Sequence, residues 1–138
     1  MAKTTSLIDD PAVAELLGRR DLSQPVGMLN LLKFRDQALY ELESGEAPCT
    51  GEEAYARYAA LVRPILEPMG VTVILTGVAW FIGPANEWDR AFVVRYARGG
   101  DIYNLGTDQA YARVAHHRTA ALADSRLLMM DFDPSGLA

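Results

Sequence analysis

The chain has 138 residues, half of them apolar and 22% charged, with a net charge of -5. Such a length fits one domain that buries roughly two-thirds of its unfolded surface, and the balance is that of a folded globular protein, not a disordered one. The acidic excess and the lack of any Lys/Arg run argue against a nucleic-acid partner. A single cysteine, Cys49, rules out an intrachain disulfide framework and a cysteine metal cluster.

MAKTTSLIDDP at the start lacks the apolar core of a signal peptide, and the longest apolar run, 71–83, is too short to span a bilayer. The expectation is therefore a cytoplasmic protein with no membrane contact. Asp10-Pro11 caps and opens a short helix that runs to Gly18. Residues 1–24 read as an N-terminal extension, 25–133 as the main domain and 134–138 as a tail.

VGMLNLLKF, 26–34, is apolar and lacks helical periodicity, so it reads as a buried strand. Val26, Met28, Asn30, Leu32 and Phe34 share one face; Leu29, Leu31 and Lys33 take the other. A long connection over 36–51 follows, with a helical turn expected at ALYEL, and suits a lid or a dimer contact. Cys49 lies in it as a structural residue. Gly51-Glu52 opens a clear helix in which Ala54, Tyr55, Tyr58, Leu61, Val62, Ile65 and Met69 share a face. Pro64 is expected to kink it, and Pro68 and Gly70 to end it. The β-branched, aromatic run 71–83 reads as a strand, PANE as a hairpin turn and 88–96 as the returning strand. DIYNLGTD gives a helical turn. A helix then runs from about Asp108 to Asp124, and a last strand from Arg126 to Phe132.

The order strand, helix, strand, strand, helix, strand defines an α+β fold of ferredoxin-like type: an antiparallel sheet with helices on one face. The strands are apolar on both faces. In the second, Ile74, Val78 and Trp80 fall on one side and Val73, Leu75 and Phe81 on the other. Two helices cover one side only. A homodimer that pairs the bare faces, closing a barrel between the sheets, removes the exposed patch.

The pieces LNLLKFR, GEEAYARYAALVRPIL, VILTGVAWFIGP, WDRAFVVRY and HHRTAALADSRLL together resemble a domain-of-unknown-function family of the dimeric α/β-barrel superfamily, over about residues 25–131. Residues 1–24 and the length of the 36–51 loop fall outside its pattern. The resemblance implies the ferredoxin-like fold and the dimer. Members of the wider superfamily include cofactor-independent monooxygenases, isomerases, haem-degrading enzymes and plain ligand or stress proteins, so fold alone does not fix a reaction.

Arg118 is the residue most suggestive of chemistry, because it lies within the apolar stripe Tyr111, Val114, Ala115, Ala121 and Leu122. It either snorkels or pairs with a carboxylate, or it holds a ligand anion through its fork of donors. His117, at the flank of that stripe, is either a general base or a hydrogen-bonded structural residue. His116 should face water, about 100° further round, so no metal site is expected from this pair. Asn30, polar within an apolar strand, either ties to the second helix or orients a ligand. Tyr58, Trp80, Ser125 and Arg126 are candidate ligand contacts. Against these stand core packing for Tyr55, Tyr58, Trp80 and Trp88, and local hydrogen bonding for Asp124-Ser125-Arg126.

No phosphate loop, nucleotide fingerprint, nucleophile elbow or haem motif is present, so no cofactor is expected. The resulting expectation is a small homodimeric protein acting on a small apolar, oxygen-bearing compound. In a cofactor-independent, monooxygenase- or isomerase-like enzyme, Arg118 and Asn30 would polarise a carbonyl or enolate and His117 would move a proton. The alternative is a non-catalytic ligand-binding or assembly module. A haem protein is a third reading without a motif behind it.

Overall fold

A computed structural model describes residues 18–80, 82 and 87–131, together with Pro11 and Glu15. Strand β1 (Val26–Phe34) leads into helix α1 (Gly51–Leu66), strands β2 (Thr72–Val78) and β3 (Arg90–Tyr96), helices α2 (Asp101–Thr107) and α3 (Gln109–Ala121), and strand β4 (Leu122–Asp131). The sheet is antiparallel throughout, in the order β2-β3-β1-β4. This is the ferredoxin-like arrangement, with α1 and α3 packed on each other. Pro11, Glu15 and Gly18 are helical; the rest of the expected N-terminal helix, the turn at 84–86, Phe81 and the tail 134–138 lie outside the described residues.

The local causes are legible. Thr50 and Glu53 form a reciprocal capping box at the start of α1. The helix runs through Pro64 to Leu66 without ending there, and Gly70 turns the chain at φ 71°. Asp108 caps α3 by accepting a hydrogen bond from the Tyr111 N–H at 3.0 Å. Leu32, Ala54, Tyr55, Tyr58, Val62 and Ala121 form one core cluster, and Val26, Met28, Val94, Tyr96 and Ile102 a second. The alternation of β1 is as expected, with its even-numbered residues turned toward the helices.

Several expectations need correction. Helix α3 stops at Ala121, three residues early, and β4 starts at once at Leu122. The reason is long-range: the last carbonyls of α3 are taken by the loop after β1, Ala120 O by the Leu39 N–H and Ala121 O by the Arg35 N–H, each at 2.8 Å. The helical turn of the long connection is a 3-10 turn at Leu42–Ser44, displaced from ALYEL. Strand β2 is shorter than 71–83 and lies exposed at the sheet edge. A register shift between Val73 and Leu75 puts these two on opposite faces, where simple alternation puts them together. Leu61 is exposed, outside the buried face of α1.

The sheet face away from the helices carries one apolar row. Leu75 pairs with Val93, Val93 with Leu29 and Leu29 with Leu128, so the row crosses all four strands. Leu75 is 68% and Leu128 55% exposed, and Met130 continues the patch. Among the described residues nothing covers it. No helix among them is long and apolar enough to cross a membrane.

Candidate functional site

Helix α3 presents polar residues on two faces. Its inner stripe, Tyr111, Val114 and Arg118, looks toward α1 and the sheet, where Tyr111 and Val114 pack on the first core cluster. Tyr58 and Tyr111 meet hydroxyl to hydroxyl at 3.1 Å. Arg118 is half-buried, and its charge acts on the phenols of Tyr55, Tyr58 and Tyr96. Among the described residues no carboxylate pairs with it and its side chain makes no hydrogen bond.

Burial pushes the phenols of Tyr55 and Tyr96 up to about 12, against the pull of Arg118, and raises that of Tyr58 well above its usual value. The phenols therefore stay protonated and available as donors. The folded chain keeps protons that the unfolded chain loses above about 10, so stability must fall as pH rises through the window from there to about 12. An alkaline absorbance titration should show Tyr55 and Tyr96 ionising late and together with unfolding. Ionisation of every tyrosine near the usual value in a folded protein would contradict this burial.

The second face of α3 meets the loop between β1 and α1. His117 is buried, and its Nδ1 lies 2.6 Å from the Tyr40 hydroxyl. Its Nε2 is 3.7 Å from Glu46 Oε1, and the Nε2 of His116 is 3.3 Å from the same oxygen. The two imidazoles stack with centroids 4.0 Å apart. His116 is exposed, as its helical angle implies, yet both rings approach the same oxygen of Glu46. Burial, then the neighbouring His116, lowers the pKa of His117 against the pull of Glu46. Burial likewise raises that of the Tyr40 phenol. Arg57 sits on the other carboxylate oxygen, 3.8 Å from Glu46 Oε2, and donates to Ala47 O at 3.3 Å.

The structure does not bring the expected trio together. Asn30 is buried on the helix side of β1, and its Nδ2 donates to Met28 O of its own strand at 3.2 Å, not to α3. His117 and Arg118 look to different faces of their helix. Tyr58 lies with Arg118. Trp80 is 79% exposed beyond the end of β2, neither packed nor lining a cavity within the protomer. Ser125 and Arg126 point to opposite faces of β4, since Ser125 pairs with Leu32 and Arg126 with Leu31. Arg126 is engaged by Asp124 at 2.6 Å and lies over the Trp88 ring. Tyr40 and Glu46 were invisible to spacing arguments because Glu46 stands 70 positions from His116.

An open cleft of about 430 Å³ lies elsewhere, lined by Lys33, Arg35, Thr50, Glu52, Asp89 and Arg90 among others. Two of its cations are already paired, Lys33 with Asp89 at 3.1 Å and Arg90 with Glu52 at 3.2 Å. Of the buried side-chain polar atoms among the described residues, only Arg35 Nε lacks a hydrogen-bond partner. In the cleft Lys33 and Arg90 are thus paired and Arg35 is not; Arg118, outside it, pairs with no carboxylate among the described residues.

Fold and site together define a ferredoxin-like α+β protein with a half-buried cation whose charge is felt at buried phenols. No family model and no curated protein matches the chain. A solved structure of a protein of unknown function from Rhodopseudomonas palustris is 32% identical, over 94% of this chain and 100% of that one, with a TM-score of 0.79. The chain belongs to the family of that protein. At fold level alone it is similar to a candidate antibiotic biosynthesis monooxygenase from Caulobacter crescentus, 14% identical over 81% of this chain and 92% of that one, TM-score 0.50. A hydroxynitrile lyase from Passiflora edulis, 10% identical over 81% of this chain and 96% of that one, also has a TM-score of 0.50.

Proposed function

We propose that this protein is a homodimer that binds a small oxygen-bearing anion, a carboxylate, enolate or phenolate, between its helices and its sheet. Arg118 carries this reading. Arg118 is half-buried; a guanidinium partly withdrawn from water gains from hydrogen-bond and charge partners, and none among the described residues supplies a charge to it. Its charge is felt instead at the phenols of Tyr55, Tyr58 and Tyr96. A ligand carboxylate would take two parallel hydrogen bonds from the guanidinium fork. The surrounding aromatic and aliphatic residues suit the apolar part of a small compound.

Binding is placed ahead of catalysis for a specific reason. The groups expected to move a proton or polarise a carbonyl beside Arg118 are engaged elsewhere, His117 with Tyr40 and Asn30 with its own strand. The monooxygenase and lyase names of the two distant relatives lend no reaction at this level of likeness. The dimer rests on the uncovered row Leu75, Val93, Leu29 and Leu128, which a second copy would cover through the same residues.

The test is a thermal-shift screen of small carboxylic acids, quinones and phenols at several pH values, repeated on Arg118→Met. The variant should stay folded, and the affinity read from the concentration dependence of the shift should fall roughly ten- to a hundredfold, as expected when a bidentate charge-assisted contact of about 1.5–3 kcal/mol is removed. Unfolding of the variant without any ligand would make Arg118 structural, and a full shift in the variant would place the ligand elsewhere.

A further inference from the structure

We propose that Glu46, His116 and His117 form a binding site for a divalent transition-metal ion of the zinc class. The donors are Glu46 Oε1 and the Nε2 atoms of the two histidines, all within 4.8 Å of one another. Hydrogen bonds from imidazolium to carboxylate close at about 2.7–2.9 Å. The observed separations of 3.3 and 3.7 Å are longer than that. They match the edge of a zinc tetrahedron, roughly 3.4 Å for metal–ligand bonds of about 2.0–2.1 Å. Two imidazoles and one carboxylate are a donor set that zinc takes in open sites, where the fourth position is left for water. Magnesium and calcium prefer oxygen donors throughout.

The surroundings support the ligands. Tyr40 engages His117 at Nδ1, 2.6 Å away, and so aims the ring. If that nitrogen donates to the phenol oxygen, Nε2 presents its lone pair to the ion. Arg57 holds Oε2 of Glu46 and leaves Oε1 to the histidines. Its charge, which also lies over the Tyr40 ring, opposes a cation and weakens the site. His116 and Glu46 are partly exposed, so an ion can enter from solvent. The site is separate from the anion site proposed at Arg118, and either can fail without the other.

The experiment is calorimetric titration of the full-length, chelator-stripped protein with Zn²⁺, alongside the visible spectrum of the Co²⁺ form. One saturable Zn²⁺ per chain is expected, with cobalt bands of four- or five-coordinate intensity. His116→Ala and Glu46→Gln should each weaken Zn²⁺ at least tenfold, while Arg118→Met leaves it unchanged. No saturable Zn²⁺ binding by the wild-type protein, or wild-type affinity in either ligand variant, overturns the site. Should a variant fail to fold, the cobalt spectrum of the wild-type protein decides, and weak octahedral absorption refutes the proposal.

Discussion

Replacing Gly51 with alanine is expected to destabilise the protein by about 3 kcal/mol or more, a fall of roughly 10 °C in Tm. Helix propensity alone says the opposite, since alanine at a helical position gains about 1 kcal/mol over glycine. Packing decides the sign here. A methyl group at Gly51 would sit 2.2 Å from Arg35 O, 2.6 Å from Ala121 O and 2.7 Å from Arg35 N, all of them backbone. Those atoms cannot yield as a flexible side chain can. They belong to the crossing that joins the end of β1, the start of α1 and the end of α3, where Gly51 N–H donates to Arg35 O and Arg35 N–H to Ala121 O. Thermal and denaturant unfolding of Gly51→Ala checks this; a Tm at or above the wild-type value would show that the crossing is looser than described.

The second large effect concerns assembly. Leu75→Glu and Leu128→Glu place a carboxylate in the apolar row of the open sheet face. Both residues are more than half exposed in the protomer, so neither change should cost the fold much. In a dimer the carboxylate would be buried without a partner, twice per interface by symmetry. A cost of at least about 4 kcal/mol corresponds to about a thousand-fold weaker dimer. Sedimentation equilibrium should find twice the chain mass for the wild-type protein and a folded single chain for each variant. Dimers of unchanged strength in both variants would move the interface to another surface.

The two effects bracket what could be read in the chain beforehand. The fold was legible because its elements announce themselves locally: an apolar run without helical period at Val26–Phe34, an apolar stripe along Gly51–Leu66, strand-forming runs on either side of a turn. The bare apolar face followed from the same alternation. What stayed hidden depends on contacts between distant segments. Helix α3 ends at Ala121 because the loop after β1 takes its last carbonyls. The alternation of β2 slips at Val73/Leu75, a change that composition does not mark.

The site shows the same division. Arg118 stood out as a charge within an apolar stripe, and it is half-buried there, its charge felt at the phenols of Tyr55, Tyr58 and Tyr96. Its proposed companions did not follow. Asn30 is satisfied by a carbonyl two residues away, and adjacent side chains on one helix serve different surfaces, so His117 parts from Arg118. The approach of Glu46 and Tyr40 to His117 is set by the path of a long connection. Side-chain rotamers, not helical angles, bring His116 and His117 to the same carboxylate oxygen.

The central claim is that Arg118 is the seat of a ligand anion. The most direct measurement is a crystal structure of the protein with the strongest acid from the thermal-shift screen. The carboxylate should lie about 2.7–2.9 Å from the guanidinium nitrogens of Arg118, with a tyrosine hydroxyl in reach. An acid seated in the cleft of Lys33, Arg35 and Arg90, or an Arg118 paired with a carboxylate of the second protomer, would contradict it.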